Sequence, residues 1–403
     1  MATPKLRFKE FDQKWGVDAL QDQIDFLAGY AFDSKLMSNE PQKYQLIKMS
    51  NVYQNQLDLT RNPSYWTNID SKIEKFLLKK GDIVLTLTGT VGKTDYGYNV
   101  EIDKDDKFLL NQRLVRLRAK QDLSDSKFIQ YRISTDKFFY HFFYSSKGGT
   151  GNQSNVSIED LKQLELNFPS KAEQTKIASF LSNVDEKISQ LTQKHELLSQ
   201  YKQGMMQKLF SQQLRFKADD GSEFGEWEEK ELKEVAEINP KAKKLPANFI
   251  YIDLESVEKG QLLLQKNIEL QDAPSRAQRL LAKGDVLFQM VRPYQQNNYY
   301  FNLSGEYVAS TGYAQIRTKL DSKFIYYALH EKTFLDEVMN RCTGTSYPAI
   351  NSSDLSSIEI FVPCLEEQTK IANFLSAIDQ KIEVVAQQIE QAKTWKKGLL
   401  QQM

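Results

Sequence analysis

The stretch QMVRPYQQNNYY, starting at Gln289, places Arg292, Tyr294, Gln295, Gln296 and Asn297 within six residues. The arginine fork matches O6 and N7 of guanine, and carboxamides match N6 and N7 of adenine, so these side chains are suited to reading base edges. A comparable stretch nearer the start is TLTGTVGKTDYGY, which offers Thr88, Thr90 and Lys93. Gln112, Arg113, Asn152, Gln153 and Gln289 complete the candidate DNA-binding set. Asn, Gln and Gly also populate ordinary solvated turns, so no single one of these residues is decisive.

Other chemistries lack their residues. GTVGKT at Gly89 imitates a phosphate-binding loop, but that pattern needs a glycine where Leu87 stands. NPSY at Asn62 resembles the Asn-Pro-Pro-Tyr signature of adenine methyltransferases without its second proline, and reads better as a turn. Two cysteines and three scattered histidines give neither a disulfide framework nor metal-ligand spacing. Catalysis has no visible home, for there are no paired carboxylates at a defined spacing and no Ser/His/Asp pattern. No apolar run is long enough to span a membrane, and a soluble, cytoplasmic, metal-free protein is expected.

The elements that must position the candidate loops are written twice. EQTKIASFLSNVDEKI at Glu173 returns as EQTKIANFLSAIDQKI at Glu367, with four differences in sixteen residues and an offset of 367 − 173 = 194. DSKFI at Asp125 recurs at Asp321, KKGDIV at Lys79 resembles AKGDVL at Ala282, and LRFK at Leu6 recurs at Leu214, followed by Trp15 and Trp227. At 403 residues the chain exceeds what one core usually serves, and a tandem duplication fits that.

Apolar positions in the repeated segment alternate four and three apart: Ile177, Leu181, Val184, Ile188 and Leu191, and again Ile371, Leu375, Ile378, Ile382 and Val385. This spacing predicts two long helices with a coiled-coil seam, which continues through His195 and Lys202 in the first and Ile389 and Lys396 in the second. Ser170 and Glu173 form a capping-box pair at the first start, and Cys364 replaces the serine in the second. Gly204 and Gly398 fall inside the seam, where glycine costs about 1 kcal/mol relative to alanine. Close helix contact and a fraying end are both open readings of them. Helices of about 40 residues would each span roughly 60 Å. Either relative direction is open, and antiparallel pairing gives closed pseudo-twofold symmetry.

Between the helices lie short β-rich runs (GDIVLTLTGT, FLLNQRLVRLRA, NFIYIDLESV, GDVLFQMV, GEYVASTGYAQIRT) with helical stretches near 125–144 and 321–340. The expected class is α+β: two tandem α/β domains joined by two long helices. The boundaries are 1–168, 169–213, 214–362 and 363–403.

This order across essentially the whole chain resembles the specificity subunit of type I restriction-modification enzymes. The most specific residues are the EQTKI stretches following Pro169 and Pro363, with KQGMMQKLF at Lys202 and KKGLLQQM at Lys396. The second helix stops at Met403, where the first copy continues to Phe210. The resemblance implies two target recognition domains and two conserved spacer helices, with no catalysis and no cofactor in this chain. It implies double-stranded DNA, two methylation subunits and restriction subunits as partners, with S-adenosylmethionine, ATP and magnesium in those partners. The target would be bipartite and asymmetric, with a gap that a heptad inserted at 177–209 should lengthen. A coiled-coil scaffold and a free-standing adenine methyltransferase are the rival readings. The balance of 53 basic and 53 acidic residues is unusual for a phosphate binder. Local clusters soften it: Arg113, Arg116, Arg118 and Lys120; Lys241, Lys243 and Lys244; and Arg276, Arg279, Lys283 and Arg292.

Overall fold

A computed structural model describes residues 4, 6–145, 147–148, 153–242 and 244–402. It divides into two compact units, residues 1–191 with 388–403, and residues 192–387.

The first unit is built on a four-stranded antiparallel sheet in the order Ile24–Ala28, Leu114–Ala119, Ile83–Thr86, Asn99–Glu101. A second sheet pairs Phe108–Leu110 in parallel with Tyr44–Ile47, which Tyr65–Trp66 flanks. The run FLLNQRLVRLRA therefore supplies strands to two sheets, turning between them at Arg113, whose φ is +69°.

The second unit repeats this plan. Its antiparallel sheet runs Ala236–Ile238, Tyr313–Thr318, Val286–Gln289, Tyr299–Tyr300. Its other sheet again contains a parallel pair, Asn248–Ile252 with Tyr307–Ser310.

The recurring motifs are explained by these frames. In both KGD turns the glycine has positive φ, +86° at Gly81 and +94° at Gly284, where other residues would be strained. The following aspartate is buried and holds a bidentate arginine: Asp82 with Arg118 at 2.6 and 2.8 Å, and Asp285 with Arg317 at 2.7 Å twice. In DSKFI, Asp125 and Asp321 cap short helices while Phe128, Ile129, Phe324 and Ile325 fill the two cores. Each predicted helical stretch is two helices, Ser126–Arg132 with Asp136–Tyr144, and Ser322–Ala328 with Lys332–Asn340. Thr135 and Glu331 cap the second of each pair.

The long helices run Lys171–Phe210 and Leu365–Gln401. Leu181, Val184, Leu191, Ile371, Leu375, Ile378 and Val385 are buried, and Ile177, Ile188 and Ile382 are half-buried. In the first unit Leu181 clusters with Leu399, and Asp185 pairs with Lys396 at 2.6 Å. Advancing along one helix goes with retreating along the other, so these segments are antiparallel. In the second unit Lys202 pairs with Asp379 at 2.6 Å.

Two readings of these helices are corrected. Ser170 accepts from the Glu173 amide at 3.4 Å, but the Glu173 carboxylate does not complete a capping box. It is fully buried, takes both guanidinium donors of Arg7 at 2.6 and 2.7 Å, and accepts from the Trp15 indole at 3.3 Å. A charge-assisted bidentate pair outcompetes one exposed amide. Glu367 does the same with Arg215 and Trp227. Close helix contact does not account for Gly204 or Gly398, since a Cβ at either would meet no described atom within 4 Å. Nor does fraying account for Gly204, because its helix continues to Phe210.

Candidate nucleic-acid interface

In the second unit the candidate side chains crowd one strained loop. Arg292 (φ +54°) and Gln296 (φ +52°) both adopt the left-handed conformation, flanking a single 3₁₀ turn that Pro293 starts. Non-glycine residues in this region cost on the order of 1 kcal/mol each, and such strain concentrates where a loop must present particular groups. The Arg292 amide donates to the Pro348 carbonyl at 2.7 Å, and its guanidinium lies 4.2 Å from the ring centre of Tyr347. Tyr294 and Tyr347 are half or more exposed, at 50% and 63%. Arg292, Gln295, Asn297 and Tyr347 line one cleft with Lys259, Glu255 and Glu258, so the cleft carries both signs of charge.

Gln289 lies at the end of its strand and is buried beneath this loop. Its Nε2 donates to Gln295 Oε1 at 2.9 Å, and its Oε1 accepts from the Asn297 amide at 3.0 Å. The Asn297 side chain accepts from the Lys259 amide at 3.0 Å. Gln289 and Asn297 shape the loop, while Tyr294 and Gln295 are exposed and Arg292 and Gln296 are half-buried.

In the first unit, GTVGKTD forms a tight turn. Asp95 accepts from the Thr90 amide and hydroxyl at 2.8 and 2.7 Å, and these bonds hold its carboxyl below the usual range. Lys93 is exposed at the tip, beside Gly92 with φ +75°. Thr88 is buried, donating to Asn155 at 3.1 Å. The strand Thr88–Thr90 pairs with Gln153–Asn155, which brings Gln153 opposite Thr90 in register. Asn152 and Lys243 lie outside the described residues, and for Gln153 only the backbone is described. Gln112 and Arg113 are exposed at the corner between the two sheets. Asn62 of NPSY sits in a left-handed turn at φ +47°.

The basic clusters divide. Arg118 is committed to Asp82, and burial pulls the half-buried Arg116 and Arg279 guanidinium groups below their usual pKa. Among the described residues, no group of three or more His, Cys, Asp or Glu could hold a metal ion, and no helix is long and apolar enough to cross a membrane.

Sequence reasoning missed the repeated polar anchors that hold the DSKFI helices to the long helices. Tyr131 donates to Asp185 and Tyr327 to Asp379, each at 2.7 Å, with Lys396 and Lys202 over the same tyrosine rings. The Gln174 and Gln368 side chains accept from the Asp125 and Asp321 amides, joining each long helix to a DSKFI cap. The signal was available in the repeats themselves, since the partners on the long helices recur at an offset of 194 and those of the DSKFI segment at 196.

A family model described as the type I restriction modification DNA specificity domain matches residues 12–200 and 225–394. The type I restriction enzyme MjaVIII specificity subunit of Methanocaldococcus jannaschii is 27% identical over 346 residues, covering 81% of this chain and 79% of that protein. The S subunit of the type I restriction-modification system of M. genitalium shares the fold at TM-score 0.62 and 20% identity, covering 100% of this chain and 98% of that one. A chain from a structure concerned with complex assembly and conformational transition of a type I system gives TM-score 0.55 at 16% identity, covering 96% of this chain and 97% of that one. With both halves matched and both units built on one plan, the chain belongs to the type I restriction-modification specificity family, as a DNA specificity subunit and not a catalytic one.

Proposed function

We propose that each unit reads one half of a bipartite, asymmetric double-stranded DNA target, while the chain docks two methylation subunits that restriction subunits join. The observation that carries this reading is duplication of the scaffold with divergence of the loops. The Glu–Arg–Trp, Asp–Arg and Tyr–Asp–Lys anchors occur in both units, yet the turn at Thr90–Asp95 and the loop at Arg292–Asn297 differ in residues and backbone. Divergent loops on one frame are what two unlike half-sites require. Lys93, Gln112, Arg113, Asn152, Gln153, Arg292, Tyr294 and Gln296 would contact DNA. Thr88, Thr90, Gln289, Gln295 and Asn297 would shape the reading loops. Functionally, 1–168 and 214–362 would be the recognition domains, and 169–213 and 363–403 the spacer helices.

Each unit carries an apolar patch suited to one methylation subunit. In the first, Phe8, Phe180 and Trp395 meet edge to face, with Phe180 and Trp395 exposed. In the second, Phe216 packs on Phe374, and exposed Tyr201 stands at the repeat position of Trp395 (395 − 194 = 201). S-adenosylmethionine, ATP and magnesium belong with the partners. With zero net charge, this chain alone should bind DNA weakly and the assembly tightly, with steep salt dependence.

The test is single-molecule sequencing of N6-methyladenine in cells expressing this chain with a methylation subunit, against cells lacking this chain. A motif of two short halves with a fixed gap, lost with the chain, is expected. An unchanged methylation pattern refutes the reading.

A further inference from the structure

The loop at Arg292–Asn297 is tied to the helical layer of its own unit through a chain of buried polar groups. The Gln289 side chain holds Gln295 and the Asn297 amide, as described above, and the Gln289 backbone amide donates to Asn298 Oδ1 at 2.8 Å. Asn298 is buried, and its Nδ2 lies 3.4 Å from Nε2 of His330. The other ring nitrogen, Nδ1, lies 2.7 Å from the Tyr326 carbonyl, which can only accept. That contact assigns the proton to Nδ1 and leaves Nε2 to accept from Asn298. Burial keeps the ring neutral, as this arrangement requires, by pulling its pKa down to about 4, while the charges of Lys202 and Asp379 act on it in opposite directions.

The first unit contains the same tether with a different end. Asn99 is buried, its Nδ2 donates to Ser134 Oγ at 3.0 Å, and Ser134 Oγ donates to the Gln130 carbonyl at 2.8 Å. Ser134 and His330 are equivalent through the DSKFI repeat, 330 − 134 = 321 − 125 = 196, and each bonds the carbonyl four residues before it. Thr86 ends the strand that Gln289 ends in the second unit, but its hydroxyl accepts from the Tyr98 amide at 3.0 Å and reaches no loop side chain. The tether is thus common to both units, and among the described residues only the second unit extends it into a loop.

We propose that Gln289, Asn298 and His330 are positioning residues that set which bases the Arg292–Asn297 loop accepts, without touching DNA themselves. This rests on the reading that the loop contacts a half-site. Base discrimination by bidentate side chains needs their geometry held to about half an ångström by a supporting shell. Two left-handed residues relax readily once the bonds beneath them are lost.

The experiment is methylation-motif sequencing and cognate-DNA kinetics on the assembled complex carrying Asn298→Ala, His330→Ala, His330→Ser or Arg292→Ala. Asn298→Ala and His330→Ala should broaden the bases accepted in one half-site and cut kcat/KM for cognate DNA by about tenfold. The other half-site should keep its sequence. His330→Ser, which supplies the residue of the first unit, should retain more discrimination than His330→Ala. An unchanged motif at an unchanged rate overturns the proposal, as does a loss falling equally on both half-sites. Arg292→Ala separates the two levels: if it leaves both half-sites intact, the loop does not read DNA, whereas an altered half-site with Asn298→Ala silent defeats the tether alone.

Discussion

Nζ of Lys202 lies 2.6 Å from Oδ1 of Asp379, while Oδ2 of the same carboxylate accepts from the Tyr327 hydroxyl at 2.7 Å. Lys396, Asp185 and Tyr131 repeat this arrangement in the other unit. The lysine of the seam is thus the point where the long helix, its partner helix and the Ser322–Ala328 helix meet. Both charged groups are partly exposed, so the ion pair itself contributes about 0.5–1 kcal/mol, and the tyrosine bond about 1–2 more. Asp379→Ala should therefore cost about 1–3 kcal/mol, and Lys202→Met under about 1. Urea unfolding of the single variants and of the swapped pair, Lys202→Asp with Asp379→Lys, measures this. No recovery in the swap would show that geometry, not charge, holds the junction.

Glu173 and Glu367 should be far less tolerant. Each is fully buried against a bidentate arginine and an indole N–H. Replacing Glu367 by Ala leaves the Arg215 charge without its partner, with a cost of about 3–5 kcal/mol. Thermal unfolding should show the second unit losing cooperativity, and an unaltered transition would mean that Arg215 swings freely into water.

Gly204→Ala and Gly398→Ala should stabilise. Neither position has positive φ, and an added methyl meets open space. Each change should add about 0.5–1 kcal/mol through helix propensity and a less flexible unfolded chain. If stability rises while capture of the methylation subunit fails, the glycines make room for that partner's backbone. Calorimetry and co-purification of the same variants separate these effects.

Acid should weaken the second unit through His330. Its pKa falls from an ordinary 6.5 to about 4 on folding because the ring is buried. Between these values the unfolded chain binds a proton that the folded chain refuses, so stability is intact above about pH 6.5 and declines as pH falls toward 4. The full decline is at most about 3 kcal/mol. His330→Leu should flatten the profile across this window in urea titrations, and an equally steep profile in that variant would assign the acid response to other groups.

The tandem plan and the long helices were legible in the sequence because each is a matter of repetition or periodicity. Element boundaries were less so. FLLNQRLVRLRA reads as one strand until Arg113 turns it from one sheet to the other, and the helical run at 125–144 breaks where Thr135 caps a new start. Nothing local to these residues announces that their neighbours belong to different layers.

The candidate loops were found by composition, but composition could not sort them. Gln289 and Gln296 are the same residue type seven positions apart, one buried as a brace and the other half-buried at a left-handed turn. Glu173 looked like half of a helix cap, and Lys202 like one more position of the seam. By itself, the sequence determined that one scaffold was written twice and that its loops diverged, because repetition and substitution are visible in one dimension. Only the tertiary structure decided which polar side chains brace and which are presented, because burial and hydrogen-bond partners follow from how the chain folds back on itself, over six residues for Gln289 and Gln295 and over 166 for Arg7 and Glu173.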